Sequence, residues 1–236
     1  MSGAKNDARY PLLLDVSGRM AVVFGSTSAA ERAAVTLSSY GADVVVIAPE
    51  PTMSLVELES QGVLTLLQRG YVRGDLEGAI VAMSFSGSPE IDAAVRDEAK
   101  SAGVLMSVAA DAELSDFTVP SVVRRGPLQI TVSTDGRAPA LTKRIRRGIA
   151  AFYGPEWGIY VALAGAVRTR AIERFGVGDA ELGPLFDSIA ASDLLDRIKA
   201  GEDPSADAIL EQHAQVMEPE AESDEPELAR EEDGGS

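Results

Sequence analysis

Apolar residues in the first half of the chain fall into five short runs that alternate with stretches of helical spacing. The runs are continuously apolar and rich in β-branched residues, as expected for parallel strands that helices cover on both faces. This pattern predicts an α/β domain with a Rossmann-type doubly wound parallel sheet. The predicted strands cover residues 20–24, 43–48, 63–67, 79–85 and 104–108, and the predicted helices cover 29–40, 55–61 and 90–102.

The pattern changes after Asp116. Residues 119–125 and 128–133 form two strand-like runs around a Gly-Pro turn, and no helix fits between them, so they are predicted to pair as an antiparallel hairpin. Helical spacing follows over residues 138–153 and 157–175, and short helices continue to about residue 200. We therefore expect a hairpin and a helical domain that serves dimerisation or substrate binding.

Four regions are predicted along the chain, and the last of them dominates the charge. Of the formal net charge of −16, half lies after residue 216, where nine acidic residues and one arginine give −8. Such a segment cannot bury apolar surface, so we expect a disordered tail, either solubilising or partner-binding. The regions are an NAD-binding Rossmann-type domain over 1–116, a hairpin and helix dimerisation region over 117–150, a helical C-terminal domain over 151–203 and the acidic tail over 204–236.

Composition excludes several kinds of chemistry. The chain has no cysteine, which excludes a disulfide framework, a thiolate metal site and a cysteine nucleophile. His213 is the one histidine, so a metal site built from several histidines is also excluded. No apolar run approaches the length of a membrane span, and the first residues lack a signal-peptide pattern, so we expect a cytoplasmic protein. The moderately acidic body argues against nucleic-acid binding.

The turn after the first predicted strand has the form of a dinucleotide-binding motif with one change. In the usual G-x-G-x-x-G/A pattern, glycines make the turn and admit a pyrophosphate, and the last small residue lets the helix lie close to the sheet. Here these positions hold Gly25, Thr27 and Ala30, so a β-branched side chain replaces the central glycine. The motif predicts a strand, a tight turn and a helix that begins near Ser28.

Several motifs together resemble the precorrin-2 dehydrogenase family, which includes the dehydrogenase and ferrochelatase module at the start of siroheme synthases. They lie in one register over residues 10–147, and the similarity continues more loosely to about residue 200. The motifs are Tyr10-Pro-Leu-Leu-Leu-Asp15, Ala48-Pro49-Glu50, Ser115-Asp-Phe-Thr-Val-Pro120, Arg125-Gly-Pro-Leu128 and Val132-Ser-Thr-Asp-Gly-Arg-Ala-Pro-Ala-Leu141.

The resemblance implies an oxidoreductase of porphyrin and siroheme biosynthesis that uses NAD to oxidise precorrin-2 to sirohydrochlorin. Some family members also insert iron. It implies a homodimer in which the hairpin and helices of one subunit help to build the site of the other. By position, it implies a cofactor site around Ser28, Ala29, Pro49 and Glu50, next to Gly25 and Thr27 of the turn motif. It also implies a tetrapyrrole site near Asp111, Thr134, Gly136 and the helix that follows, which carries Lys143 and Arg147. No residue is assigned as a resident metal ligand.

Two departures from the family pattern affect the expected chemistry. A Thr-Asp-Asp after the fourth strand appears here as Ser86-Gly87-Ser88, and the aspartate that ends the fifth strand is Ala110. The hypotheses are therefore a precorrin-2 dehydrogenase, or a catalytically impaired tetrapyrrole- or nucleotide-binding protein that acts as a carrier or regulator. A third hypothesis is a Rossmann-type dimer with a structural role only.

Asp111 is the candidate catalytic residue, because it follows the position of the missing aspartate. A carboxylate at the carboxyl end of a central strand lies where ligands of open α/β sheets bind, so it can act as a general base. The alternative is a loop aspartate that caps the next turn together with Asp116.

A dense basic segment provides candidate contacts for a substrate rich in carboxylates. Lys143 and Arg147 are four residues apart on one face of a predicted helix, and Arg144, Arg146 and the strand residues Arg124 and Arg125 are nearby in sequence. The alternative is a solvated helix paired with nearby acids. The turn at Thr134-Asp135-Gly136 either grips a carboxylate at the helix start or serves as an ordinary helix cap.

Overall fold

The first half of the chain forms a five-stranded parallel sheet in the computed structural model, which describes residues 9–217. Its strands are β1 (Met20–Phe24), β2 (Asp43–Ile47), β3 (Thr65–Leu67), β4 (Ala79–Ser84) and β5 (Leu105–Val108). They lie in the order β3-β2-β1-β4-β5, so the chain reverses its direction of winding between β1 and β4. The predicted Rossmann-type sheet is confirmed.

Three helices cover this sheet: α1 (Ser28–Ser39), α2 (Met53–Ser60) and α3 (Pro89–Ala102). Successive residues of a strand face opposite sides of a sheet, and here both sides are buried. Val23 and Val46 belong to one apolar cluster, whereas Val22 and Ile47 belong to the other. Each such side chain contributes about 1.5–3 kcal/mol when it is fully buried. This explains why the strands lack polar alternation.

Side chains rather than a further strand bind the outer edge of β5. The amide of Val108 donates to Ser115 Oγ at 2.8 Å, and the amide of Met106 donates to Asp116 Oδ2 at 3.0 Å. Asp116 is held in turn by the guanidinium of Arg96 on α3. The segment after β5 therefore folds back along the strand and supplies the acceptors that its edge amides require.

A second compact unit begins at Pro120. Strands β6 (Ser121–Arg125) and β7 (Leu128–Val132) form the predicted antiparallel hairpin. The hairpin turn lies close to Gly158, where an added Cβ would stand 2.9 Å from the carbonyl of Arg125. Five helices follow the hairpin: α4 (Pro139–Phe152), α5 (Glu156–Phe175), α6 (Gly183–Ala190), α7 (Leu194–Lys199) and α8 (Ala206–His213), with 3₁₀ turns at Asp179–Leu182 and Ala214–Met217.

The start of the predicted acidic tail is folded, which corrects the prediction for residues 204–217. Ser205 caps α8 by accepting from the amide of Ala208 at 3.2 Å, and Ile209 and Leu210 are buried in the core of the second unit. Apolar residues at helical spacing outweighed the acidic composition here. Residues 218–236 of the predicted tail lie outside the described residues, and the other bounds of the four predicted regions stay predictions.

Candidate functional site

The turn after β1 requires glycine. Gly25 has φ of +104°, and a Cβ at this position would stand 2.5 Å from the carbonyl oxygen of Phe85. The Gly25 amide donates to the carbonyl of Ile47, at the end of β2, at 2.9 Å. The turn is therefore pressed against the loop that follows β4 and is anchored to the neighbouring strand.

Helix α1 begins directly after this turn and leaves two amides available. Thr27 is the N-cap residue, and its Oγ1 accepts from the amide of Ala30 at 3.2 Å. The amides of Ser28 and Ala29 have no acceptor among residues 9–217. Free amides at a helix start, next to a close-packed glycine turn, fit the phosphates of a dinucleotide. The threonine hydroxyl is directed to its own helix.

Pro49 and Glu50 lie at the same edge of the sheet as this turn. They follow β2 after one residue, Ala48, and Phe24 pairs with Ile47 in the register of β1 and β2. Both residues are exposed, and the carboxylate of Glu50 has no hydrogen-bond or ion-pair partner in the part of the chain that the structure describes. The structure therefore brings the six predicted cofactor residues together at one edge.

Asp111 serves as the cap of the turn after β5. Its Oδ1 accepts from the amides of Glu113 at 2.8 Å and Leu114 at 3.3 Å, and its backbone bridges to Val108. The other carboxylate oxygen, Oδ2, has no donor among the described residues and belongs to an exposed side chain. Asp111 thus has the capping role that was the alternative, with one oxygen left over.

Ser84, Ser86 and Asp92 form a polar network after β4 that the sequence prediction missed. Oδ1 of Asp92, on α3, accepts from the hydroxyl of Ser84 and from that of Ser86 at 2.8 Å. Ser84 and Asp92 are only 1% and 6% exposed. One sequence signal was available, because Asp92 has helical spacing with the buried Val95 and Ala99 and so lies on the buried face of the helix.

The loop before α4 closes on itself. Oγ1 of Thr134 accepts from the amide of Ala138 at 3.2 Å and shares a hydrogen bond of 2.9 Å with the buried Thr142 hydroxyl. Gly136 has φ of +75°, and Asp135 has φ of +50°. These bonds close the turn before α4. The N-cap residue of α4 is Ala138, which has no side-chain cap, so a helix-capping role of Thr134 is not observed, and Gly136 stays exposed at the turn.

The basic residues of the hairpin and those of α4 differ in their partners. Arg125 is structural, because its guanidinium donates to the carbonyls of Tyr153 at 2.9 Å and Ala150 at 3.0 Å at the end of α4. Along α4, in contrast, no basic side chain forms an ion pair with any residue between 9 and 217, so the predicted alternative of pairing with nearby acids is not observed. These side chains are Lys143, Arg144, Arg146 and Arg147.

Three further titratable side chains have partners within the fold. Burial and a hydrogen bond to Glu98 raise the pKa of Tyr71 to about 12. The guanidinium of Arg96 lowers the pKa of Asp116 below its ordinary value, against a smaller opposing effect of burial. His213 ends α8, is buried and bonds to the Ser188 hydroxyl through Nδ1 at 2.8 Å, although the sequence placed it beside a disordered tail.

Residues 9–217 lack two further features. No group of three or more histidine, aspartate or glutamate side chains is placed so that it could hold a metal ion. None of the helices in the same range combines the length and the apolar character that a membrane crossing requires.

The sheet, the reversal of winding between β1 and β4 and the glycine turn define a dinucleotide-binding protein with an added hairpin-and-helix unit. Residues 12–121 match the family described as "Putative NAD(P)-binding", and residues 125–151 match "Sirohaem biosynthesis protein central". These matches confirm the family resemblance. The chain is a relative of the siroheme synthases.

Curated siroheme synthases extend well beyond this chain. The protein from Stutzerimonas stutzeri (strain A1501) is 34% identical over 165 residues, which cover 70% of this chain and 36% of that protein. The protein from Pseudomonas aeruginosa (strain LESB58) is 30% identical over 204 residues, which cover 86% of this chain and 43% of its own length. The chain therefore spans less than half the length of these two relatives.

A solved structure has the same fold. The chain titled "SirC, precorrin-2 dehydrogenase" superposes with a TM-score of 0.67 over 88% of this chain and 100% of that one. The identity of 22% makes this a likeness of fold.

Proposed function

We propose that the chain is an NAD-dependent precorrin-2 dehydrogenase that forms sirohydrochlorin on the way to siroheme. The observation that carries the proposal is the presence in one chain of an NAD(P)-binding match and a sirohaem-biosynthesis match, the first of which contains the turn with two free amides. The relatives named siroheme synthase and the fold shared with a precorrin-2 dehydrogenase support the same activity.

The cofactor-binding residues have separate tasks in this proposal. The amides of Ser28 and Ala29 bind the pyrophosphate, and Gly25 allows the turn to lie against the loop after β4. Pro49 directs the chain after β2, and Glu50 accepts hydrogen bonds from the adenine ribose. A carboxylate at this position repels a 2′-phosphate, which favours NAD over NADP. Bound NAD⁺ supplies the hydride acceptor.

The chain's own groups hold the substrate and take the proton. Oδ2 of Asp111 is the proposed proton acceptor, while Oδ1 keeps the carboxylate in place through two backbone amides. Lys143 and Arg147 bind carboxylates of the macrocycle. The exposed turn at Gly136, which the Thr134 hydroxyl closes, leads into their helix. Asp111 therefore acts as the base, and Lys143 and Arg147 contact the carboxylates of the substrate.

An anaerobic assay tests this proposal. Purified full-length protein is mixed with precorrin-2 and NAD⁺, and the macrocycle spectrum and NADH absorbance are followed. We expect sirohydrochlorin and NADH to appear in equal amounts. A repeat with Fe²⁺ tests for iron insertion, the further activity of some family members. Absence of NADH formation with an active control dehydrogenase on the same substrate would exclude the dehydrogenase function.

One observation favours a second candidate, a binding protein of the same fold without catalysis. Ala110 stands where the family has an aspartate, and half of the Asp111 carboxylate is engaged as a turn cap. This candidate predicts that the macrocycle binds tightly in the same assay while no NADH forms.

We further propose that the chain is a homodimer through an apolar stripe on α4. Leu141, Ile145 and Phe152 have helical spacing that places them on one face, and they are 50%, 40% and 72% exposed. Replacement Ile145→Glu is expected to convert the dimer to a monomer in light scattering coupled to gel filtration. The control is Val35→Glu, at an exposed apolar position on α1. Monomeric wild-type protein at micromolar concentration would contradict the proposal.

A further inference from the structure

A buried carboxylate stands at the carboxyl end of β4 without a cation beside it. Asp92 is 6% exposed, and its Oδ1 accepts from the hydroxyls of Ser84 and Ser86. Two hydroxyl donors to one oxygen satisfy the ionised form of a carboxyl group. No lysine or arginine between residues 9 and 217 forms an ion pair with it, although buried charges are usually paired.

Glu98 on the same helix shows what a purely structural buried carboxylate looks like here. It is 7% exposed, and both of its oxygens are used, by the Tyr71 hydroxyl at 2.6 Å and by the amides of Gly74 and Leu76. Oδ2 of Asp92, in contrast, has no donor in the described chain. Among the described residues, Nε2 of His213 is the one side-chain polar atom that lacks both a hydrogen-bond partner and contact with solvent. Oδ2 of Asp92 also lacks a partner, so it must retain contact with solvent.

The position of Asp92 in the fold gives this oxygen a specific environment. Ser84 ends β4 and pairs with Phe24 at the end of β1, and the carbonyl of Phe85 lies against Gly25. Asp92 therefore borders the crevice between β1 and β4, where ligands of open α/β sheets bind. In this architecture the adenine ribose lies after β2, so the other half of a dinucleotide lies on the β4 side of the crevice.

We propose that Asp92 makes the site discriminate between the two oxidation states of the cofactor. This inference rests on the proposed NAD-dependent function. A fixed negative charge beside the crevice attracts the cationic nicotinamide ring of NAD⁺ and has no such attraction for the neutral ring of NADH. The substrate form of the cofactor is favoured, and the reduced form leaves more readily.

Binding measurements on the full chain test the inference without requiring turnover. Calorimetric titrations with NAD⁺ and with NADH give the ratio Kd(NAD⁺)/Kd(NADH) for wild type and for Asp92→Asn. Asparagine keeps an oxygen that can accept from both serines and removes the charge. We expect this ratio to rise by about fivefold to tenfold, the size of a Coulomb interaction over several ångströms at the edge of a protein.

The matched control is Glu98→Gln, which removes an equally buried charge from the same helix at a position away from the crevice edge. Its ratio is expected to equal that of wild type. A second variant, Asp92→Ser, makes the same charge change with a smaller side chain and covers the case in which Asp92→Asn does not fold. Thermal melts of all variants verify folding.

The outcomes separate the inference from the function on which it rests. An unchanged ratio in a folded Asp92 variant, or an equal rise in Glu98→Gln, overturns the role of Asp92 and leaves the dehydrogenase proposal standing. If wild-type protein binds neither NAD⁺ nor NADH, the NAD-dependent function itself is overturned.

Discussion

Two neighbouring helices in the second unit carry similar numbers of basic residues but use them differently. On α5, three arginines each form an ion pair with an acid: Arg168 with Asp179, Arg170 with Asp207 and Arg174 with Glu211. On α4, no basic side chain has an ionic partner among residues 9–217. The arginines of α5 tie that helix to the segments around it, whereas the cations of α4 remain available to an anionic ligand.

The energetic difference between the helices is small without a ligand. Exposed ion pairs such as those of α5 contribute about 0–1 kcal/mol each. Like charges four residues apart on a helix, such as Lys143 and Arg147, cost about 0.2–0.5 kcal/mol. The unpaired cluster on α4 is therefore tolerated rather than stabilising, and an anion bound there would remove its cost.

In the first unit, Asp111 has one oxygen that caps a turn and one oxygen without a partner among the described residues. Its replacement gives the largest predicted effect. Asp111→Asn keeps the oxygen that caps the turn and removes the proposed base. We expect kcat/KM for precorrin-2 to fall by about a hundredfold or more, with an unchanged melting temperature. Glu113→Gln, at an exposed acid of the same loop, is the control. Wild-type turnover in Asp111→Asn would remove this residue from the mechanism.

The second prediction tests the comparison of the two helices directly. Lys143→Ala combined with Arg147→Ala is expected to weaken macrocycle binding by about tenfold to a hundredfold, because two charge-assisted contacts are lost. The matched control combines Arg170→Ala with Arg174→Ala, which are also four residues apart but are ion-paired. Fluorescence titration with the macrocycle measures both. Equal losses in the two double variants would show that net charge alone matters.

The third prediction concerns Asp116, whose carboxylate is fully engaged by Arg96 and by the Met106 amide. Its pKa is lowered mainly by Arg96, so the associated stability is present above the ordinary carboxyl pKa and is lost as the pH falls through the lowered value. Asp116→Asn should cost about 1–2 kcal/mol near neutral pH.

Urea unfolding of wild type and Asp116→Asn at several pH values measures this effect. The difference between them should shrink as the solution becomes acidic, because the wild-type carboxylate is then protonated. A difference that is independent of pH would assign the loss to packing rather than to charge.

The smallest effect is expected from single replacements on the two helices in the absence of ligand. Arg170→Ala should lower the unfolding free energy by less than about 1 kcal/mol, and Lys143→Ala should leave it unchanged or raise it slightly. Chemical denaturation with both variants measures the two values. A larger loss for Lys143→Ala would mean that its side chain has a structural partner.

The fold could be predicted because local patterns determined it. Continuous apolar runs gave the strands to within a few residues, and the Gly-Pro turn gave the hairpin, since neither depends on distant contacts. The prediction failed at α8, where acidic residues hid two core positions, Ile209 and Leu210. Composition describes a whole segment, whereas burial is decided residue by residue.

The candidate site could be predicted from the sequence only in part. The turn at Gly25 and the free amides after it could be placed from the motif, because the strand, the turn and the helix are consecutive. The network of Asp92 with Ser84 and Ser86 joins a strand end to a helix face, and its burial depends on the packing of α3 against the sheet. Likewise, no sequence pattern could show that the basic side chains of α4 have no ionic partners between residues 9 and 217.

The closure of β5 by Ser115 and Asp116 restricts how copies of this protein can associate. A strand whose edge is exposed to solvent presents unpaired backbone N–H and C=O groups. Another chain can add a strand to them, which is a common route to aggregation. In this chain, the edge amides of β5 are already bonded to the side chains of Ser115 and Asp116. A strand of another copy therefore cannot pair with this edge of the sheet. Self-association must use side-chain surfaces rather than strand addition at β5.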